Sequence, residues 1–307
     1  MDFEGWMERY REELELLNYS ARTWPTLRVT LKQLKTYLES QGIGEVSAVT
    51  ETALHGFRHW LFYEPTWKGT ARGIASQNRC LSIVKGFFRF LHETGATVGN
   101  PAQELTQAKE PQTLPRNVLT VLEARKILTK PDVQTVLGYR DRTILEVFYS
   151  TGIRRSELIA LTVANVDLEG GLLRINKGKG AKDRVVPLTQ IAVTFLESYI
   201  KGIRPQILSE KEKERLFLSE RGQAMGKSTV ASIVEKYAKL AGIKKRVTPH
   251  SWRHTCATHL VKNAANLRHV QEMLGHKNLS TTERYLQLTI TDLKEAHRKF
   301  HPREREK

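Results

Sequence analysis

The stretch of residues 95–117 limits most strongly what this chain can fold into. It holds three prolines and two glycines, and its apolar residues follow no sustained helical or strand period. Segments of this composition interrupt regular structure and commonly separate domains. At 307 residues the chain is also long enough to form two hydrophobic cores. The sequence therefore predicts two domains, residues 1–107 and 118–307, joined by a linker at 108–117.

Apolar residues before this stretch recur at the three- and four-residue spacing of helix faces. Glycines follow two of the stripes, Gly42 after the second and Gly95 after the fourth, where helices usually end. The pattern predicts four helices and hence a small helical domain. The four stripes are Trp6, Met7, Tyr10, Leu14 and Leu17; Leu27, Leu31, Leu34 and Leu38; Leu54, Phe57 and Leu61; and Cys80, Val84, Phe87 and Leu91.

One β-hairpin is predicted in the second domain. Residues 172–176 and 183–188 alternate apolar and polar side chains and are rich in β-branched residues. Residues 177–182 between them form a basic, glycine-rich turn. Residues 216–219 are a candidate edge strand. The hairpin would therefore hold lysines out at its tip.

The rest of the second domain is predicted to be helical. Its first helix, residues 121–128, is preceded by the capping-box pair Thr120 and Glu123. The fold class that follows is mainly α with a small β-hairpin or sheet. Further helices are predicted at residues 141–150, 155–162, 189–201, 227–240, 249–262, 266–274 and 280–288.

Composition excludes several classes of protein. No run approaches the ~18–20 consecutive apolar residues of a membrane-spanning helix, and the first 15 residues are acidic and amphipathic rather than a secretory signal. The two cysteines, Cys80 and Cys256, lie far apart and show no CxxC or Cys/His ligand spacing. We therefore expect a cytoplasmic protein without a membrane segment, disulfide framework or structural metal.

The positive charge is concentrated in the second domain. Residues 1–110 carry 13 basic and 13 acidic side chains, whereas residues 111–307 carry 36 basic and 20 acidic ones, which is the whole net charge of +16. Within the first domain, residues 58–89 hold six basic side chains against Glu64 alone. A polyanion is the natural partner of such surfaces, although a merely soluble cationic surface would give the same total.

A first candidate site is the sequence TGIRRSEL at residues 151–158. Gly152 ends one helix, and Arg154 lies where the next one begins. An arginine beside the free amides of a helix N-terminus can hold a phosphate with two hydrogen bonds. A surface arginine at a helix start is the alternative. Glu157, one turn later, is interpreted as a structural partner that orients an arginine.

A second candidate site is the sequence TPHSWRH at residues 248–254. Thr248 is a suitable N-cap, so His250 and Arg253 fall in the first turn, three residues apart on one face. Together they can bind one phosphate. A zinc helix built on His250 and His254 is disfavoured because Ser251 stands where a zinc protease has its glutamate. The alternative of a purely structural histidine is stronger for His254 and His259 than for His250.

A third candidate site is the sequence LGHKNLSTTERY at residues 274–285. Gly275 ends a helix, His276 lies in the following turn, and Tyr285 falls in the early turns of the next helix. A tyrosine there is usually a core or interface residue. Because its pKa is about 10, it is a nucleophile at neutral pH only where nearby cations stabilise the phenolate.

These segments, with the basic turn GKGAKDRVVPL, resemble the tyrosine recombinase, or phage integrase, family in order and separation. The first domain resembles the family's helical core-binding domain through residues 76–95 and the NPA at 100–102, so the likeness covers nearly the whole chain. It is most similar to the compact Xer-type recombinases, although Gln287 replaces a histidine of many relatives. The six catalytic positions that the resemblance implies are Arg154, Lys179, His250, Arg253, His276 and Tyr285.

The resemblance also implies an activity. Tyr285 would attack a DNA phosphate and form a 3′-phosphotyrosyl link, with His250 as general base and Lys179 as general acid. The expected partner is a double-stranded DNA site near the nucleoid, bound by a homotetramer or by a heterotetramer with a paralogue, and no cofactor or metal is needed. Dimer resolution, phage, plasmid or transposon integration, a type IB topoisomerase-like activity and a catalytically silent accessory role remain open.

Candidate DNA-binding residues lie in both domains. Polar and basic side chains surround the start of the predicted fourth helix, where they can enter a groove, although a solvated helix face explains them equally well. Two lysines flank Lys179 in the basic turn. These six residues are Arg72, Asn78, Arg79, Lys85, Lys177 and Lys182.

Overall fold

The computed structural model describes residues 1–21, 23–65, 69–110, 117–176, 183–209, 212–263 and 265–275. The chain divides into two compact units, Met1–Gln112 and Thr113–Lys307, which we call the first and second units. The division falls within the proline-rich stretch.

Among its described residues, the first unit contains four α-helices, as the apolar stripes predict. Helix ends follow local capping rules: the Asp2 and Thr50 side chains accept hydrogen bonds from backbone amides three residues later. Gly95 adopts a left-handed conformation (φ 74°) just after the fourth helix, which any residue with a Cβ would find strained. The helices are α1 (Phe3–Leu16), α2 (Trp24–Ser40), α3 (Glu51–Tyr63) and α4 (Ile74–Glu93).

The core of the first unit is built around Phe87 of α4. Its ring lies 5.5 Å from the rings of Phe3 and Tyr10, both on α1, and 5.8 Å from that of Phe88. Phe87 and Phe88 are fully buried. Aromatic pairs at these distances add to the stabilisation that burial already provides. Residues 3–91 are thus held together mainly by apolar packing.

The described part of the second unit is also mainly helical and contains one small sheet, which confirms the predicted fold class. Strands β1 (Val166–Asp167), β2 (Leu172–Ile175) and β3 (Arg184–Pro187) pair antiparallel in that order. The helices are α5 (Val121–Leu128), α6 (Val136–Thr151), α7 (Arg155–Ala160), α8 (Gln190–Ser198), α9 (Arg204–Ile207), α10 (Lys227–Leu240), α11 (Pro249–Lys262) and α12 (Leu267–Leu274), with a π-helical turn at Tyr199–Ile203.

The predicted hairpin is present, with Leu173 opposite Val186 and Ile175 opposite Arg184. Alternation along β2 buries Leu173 and Ile175 in the core of the second unit. The candidate strand at residues 216–219 is wrong. Leu218 makes a single isolated bridge to Ala224, and the short strand β1 pairs with β2 instead.

Membrane-spanning helices and metal-binding clusters were both sought among the described residues. Within the described ranges, no helix is long and apolar enough to cross a bilayer. The same residues contain no group of three histidine, cysteine or acidic side chains arranged to hold a metal ion.

Candidate active site

Arg154 stands between the end of α6 and the start of α7. Gly152 ends α6 in a left-handed conformation (φ 59°), and a Cβ there would come within 2.8 Å of the Leu274 side chain. Only glycine suits both the conformation and the space. The Arg154 backbone amide donates to Oε2 of Glu157 (2.8 Å), and its Nη1 donates to Oε1 (2.9 Å). Glu157 therefore caps α7 and holds the arginine at the same time.

Arg253 reaches the same place from α11. Thr248 caps this helix and Pro249 opens it, as predicted, so Arg253 lies near the N-terminus of α11. The guanidinium is buried, with Nη1 donating to the carbonyl of Gly152 (2.8 Å) and Nη2 to that of Leu274 (2.6 Å). Since Nη2 of Arg154 donates to the next carbonyl, that of Gly275 (3.2 Å), both arginines meet at the end of α12.

Packing fixes the helix that carries Arg253. The neighbouring Trp252 is fully buried, and its ring lies edge-on to that of Tyr149 on α6 at 5.6 Å. Tyr149 is also hydrogen-bonded to His259 (2.9 Å), which lies further along α11. His259 thus has a structural role, in agreement with the alternative that the sequence left open for the later histidines of this helix. The contacts of Trp252 and His259 with Tyr149 therefore fix the part of the α11 backbone from which the Arg253 side chain extends.

His250, near the N-terminus of α11, is the third predicted catalytic residue that the structure describes. Partial burial lowers its pKa below the usual value, and the positive charges of Arg253, Arg155 and Arg154 lower it further. His250 is consequently neutral at pH 7 and able to accept a proton. Such a neutral imidazole beside fixed guanidinium groups suits acid–base chemistry on an anion.

The structure brings together three of the six predicted catalytic residues: Arg154, His250 and Arg253. The other three, Lys179, His276 and Tyr285, fall outside the described residues, as do Lys177 and Lys182. Arg155, the third arginine that lowers the pKa of His250, donates from Nη1 to the carbonyl of Lys227 (3.3 Å). The described part of the site is therefore a group of arginine and histidine side chains from α11 and the start of α7.

The candidate DNA-binding residues of the first unit differ in exposure. Arg79 is exposed, and Arg72 is half-buried with Nη1 directed at the sulfur of Cys80 (3.6 Å). Asn78 is buried instead: its amide donates to the carbonyl of Ala108 (2.8 Å) and accepts from the Ala108 amide (3.0 Å). Lys85 donates to the carbonyl of Leu105 (3.1 Å).

These contacts give two of the four residues a structural task that the sequence did not indicate. Asn78 and Lys85 fasten residues 105–108, the start of the predicted linker included, onto α4. Periodicity alone shows the face of a helix, not the backbone that folds back on it. Arg72 and Arg79 remain the residues of this set that we predict to face DNA.

Sequence reasoning missed Arg184, which links the sheet to the site. Its Nη1 and Nη2 donate to Oε1 (3.0 Å) and Oε2 (2.8 Å) of Glu157, and its Nε donates to the carbonyl of Met273 (2.8 Å). A signal was present in the sequence, because Arg184 alternates with Val186 and so shares the inward face of β3. An arginine on an inward face requires a buried acid, and Glu157 supplies it.

Two arginines and a histidine grouped in a mainly helical unit form an arrangement suited to binding a phosphate. Residues 117–291 match the model of the phage integrase family. The tyrosine recombinase XerC 2 of Ralstonia nicotianae is 38% identical over 297 residues, which cover 97% of this chain and 85% of that protein. XerD of Staphylococcus aureus is 36% identical over 284 residues, which cover 92% of this chain and 94% of that protein. The chain therefore belongs to the phage integrase family of tyrosine recombinases.

Solved structures agree in fold. The XerA recombinase has a TM-score of 0.53 at 25% identity and covers 97% of this chain and 99% of its own. XerH bound to its difH substrate has a TM-score of 0.73 at 23% identity and covers 92% and 80%. A lambda integrase dimer on a core site has a TM-score of 0.69 at 19% identity, covering 92% and 97%. The fold is thus that of the tyrosine recombinases.

Proposed function

We propose that this protein is a site-specific DNA recombinase of the Xer type, which cleaves and rejoins strands of a double-stranded DNA site through Tyr285. The observation that carries the proposal is the meeting of Arg154 and Arg253 at the end of α12, beside a neutral His250. The chain leads directly from that helix end into the segment that contains Tyr285. Its identity to XerC- and XerD-named relatives favours this function over an accessory DNA-binding role.

Charge explains the role of the two arginines. When an oxygen nucleophile attacks a phosphodiester, negative charge develops on the non-bridging oxygens. Guanidinium groups held in place before the reaction stabilise that charge without having to reorganise. Arg253 is held by two carbonyls and Arg154 by Glu157, so both side chains are fixed in advance. In this proposal His276 adds a hydrogen bond to the same phosphate.

Proton transfer completes the proposed reaction. The phenol oxygen of Tyr285 forms a bond to phosphorus, the bond from phosphorus to the 5′-oxygen breaks, and a 3′-phosphotyrosyl link remains. His250 takes the phenol proton, for which its lowered pKa keeps it unprotonated. Lys179 protonates the departing 5′-oxygen. Attack by a 5′-hydroxyl of a second strand reverses these steps and rejoins the DNA.

DNA binding and assembly follow from the same proposal. The basic turn with Lys177 and Lys182, together with Arg72 and Arg79, would bind phosphates and make the affinity strongly salt-dependent. Four copies acting on two DNA sites, or two copies with two of a paralogue, would exchange strands in pairs. The reaction would take place in the cytoplasm, beside the nucleoid. The solved relatives XerH and lambda integrase are themselves bound to DNA sites.

A covalent-trapping experiment tests the proposal. The protein is incubated, without divalent metal, with nicked duplexes from its own replicon, from which the cleaved fragment diffuses away. We expect a protein–DNA adduct that resists SDS and that Tyr285→Phe does not form. Binding without an adduct in the wild-type protein would overturn the enzymatic proposal. Transfer of the trapped strand to a second duplex, rather than resealing alone, separates a recombinase from a type IB topoisomerase.

A further inference from the structure

Three arginines hold the last carbonyls of α12. The carbonyls of residues 273–275 are consecutive, and each accepts a hydrogen bond from a different arginine: Met273 from Arg184, Leu274 from Arg253 and Gly275 from Arg154. The C-terminal carbonyls of a helix lack partners within the helix and carry partial negative charge. The three cations come from β3, α11 and the start of α7, so this helix end is where three separate elements are joined.

Arg184 differs from the other two arginines in what its donors bind. Its Nη1 and Nη2 grip both oxygens of Glu157, and its Nε is bound to the end of α12. The Arg184 side chain is only 10% exposed, whereas that of Arg154 is 35% exposed. Arg154 is therefore open to a substrate phosphate, and Arg184 is committed to the protein.

Glu157 couples the two arginines. Its Oε1 accepts from Nη1 of Arg154 (2.9 Å) and from Nη1 of Arg184 (3.0 Å). Burial raises the pKa of Glu157, but the hydrogen bonds from Arg184 and Arg154 outweigh this and bring it to about 2. The carboxylate is thus ionised at neutral pH, and its position depends on the bidentate grip of Arg184.

We propose that Arg184 is a positioning residue of the recombination reaction, which sets Arg154 against the end of α12 by holding Glu157 and the Met273 carbonyl together. The inference rests on the proposed function of Arg154. Arg184 is the first residue of β3, two positions after the basic turn at 177–182 that contains Lys179. Through the same side chain, the strand that bears the turn is tied to the arginine site.

Adduct formation in single-turnover experiments tests this role. With protein in excess over a nicked duplex, Arg184→Gln should lower the cleavage rate about 100-fold, since small misplacements of catalytic groups have effects of this size. Arg184→Lys keeps the charge without the planar fork and should recover part of the rate, to within about 10-fold of wild type. Arg174→Gln is the matched control, because it removes the same charge from an exposed position on β2. Its rate should stay within about twofold.

Two further readouts separate positioning from a general loss of structure. In Arg184→Gln the pKa of Glu157 rises, so the cleavage rate should gain an additional fall on the acidic side that wild type lacks. DNA affinity should remain within about twofold of that of Arg174→Gln, since Arg184 does not face the substrate. Amide hydrogen exchange in residues 267–275 should accelerate in Arg184→Gln and not in Arg174→Gln.

The possible outcomes distinguish a failure of the role inferred for Arg184 from a failure of the proposed function on which it rests. A wild-type protein that forms no adduct would overturn the proposed function and the role of Arg184 with it. A wild-type adduct with an equal rate and an unchanged pH profile in Arg184→Gln would overturn the role of Arg184 alone. If Arg184→Gln does not fold, Arg184→Lys decides: an unchanged rate in that variant also contradicts the inference.

Discussion

The two units differ in the kind of polar side chain that they bury. Among the described residues of the first unit, the buried polar side chains are all neutral: Thr30, Gln77, Asn78 and Thr97. The second unit buries charged side chains, namely Arg140, Asp141, Glu146, Arg204 and Arg253. Buried charges persist only where they are paired and hydrogen-bonded. The first unit is therefore held by apolar packing, whereas the second uses part of its interior to fix cations in place.

The pair of Arg140 and Asp141 shows the same principle away from the candidate site. Nη2 of Arg140 lies 2.7 Å from Oδ1 of Asp141, and the hydroxyl of Tyr237 donates to Oδ2 (3.0 Å). Burial raises the pKa of Tyr237, and the Asp141 charge raises it further. The charged and hydroxyl groups of these three residues bind one another within the protein. What sets the candidate site apart is not buried charge itself but an arginine, Arg154, that stays partly open.

The largest effect is expected from the apolar core of the first unit. Phe87→Ala should lower the free energy of unfolding of this unit by about 4 kcal/mol, since it removes a buried ring and leaves a cavity. Urea denaturation followed by circular dichroism measures the change. Phe62→Ala, at a position that is 57% exposed, is the control and should change stability by less than about 0.5 kcal/mol. Equal losses in the two variants would contradict the packing described for Phe87.

Next in size is the effect of Arg253 on catalysis. Arg253→Lys keeps the charge but loses the planar guanidinium that binds the carbonyls of Gly152 and Leu274, so adduct formation should fall by about 10²–10³-fold. Rates with trapped substrate at saturating protein provide the measurement. Arg268→Lys, at an exposed position on α12, is the matched control. A rate near that of the control would show that the buried cation is structural, as Arg140 is.

Glu157 predicts a pH dependence of stability. Its pKa is lowered in the folded protein to about 2, so its stabilising contribution is present above its ordinary pKa of 4.5 and is lost as the pH falls toward 2. We expect Glu157→Gln to be less stable than wild type at pH 7 by about 3 kcal/mol. This difference should vanish near pH 2. Denaturation curves at several pH values measure it, and a difference independent of pH would exclude the ionised carboxylate as its cause.

The smallest effect concerns His250. In the free protein its pKa should lie below 6.5, because burial and the neighbouring arginines disfavour the imidazolium. Arg155→Gln removes one of those charges and should raise the pKa, whereas Arg268→Gln should not. NMR titration of the imidazole follows both variants. An unchanged His250 pKa in Arg155→Gln would mean that the Arg155 charge does not act on the proposed base.

Local sequence determined the elements and their ends. The Thr120–Glu123 capping box, the Thr248 N-cap and the left-handed glycines at 152 and 275 are all found where the pattern placed them. Each depends on contacts within about four residues, which the sequence displays directly. The hairpin followed from alternation, while the strand predicted at 216–219 failed because a short apolar run does not specify a pairing partner.

Tertiary structure decided how those elements meet. Arg154, Arg184 and Arg253 are far apart in the chain, yet all three bind the last turn of α12, and Asn78 binds a backbone segment 30 residues away. Family resemblance identified Arg154 and Arg253 in the sequence but gave no sign of the Glu157–Arg184 link. Spacing along a helix fixes which face a residue occupies. Which backbone carbonyl or carboxylate lies opposite that face is decided only by long-range packing, since those partners come from other elements.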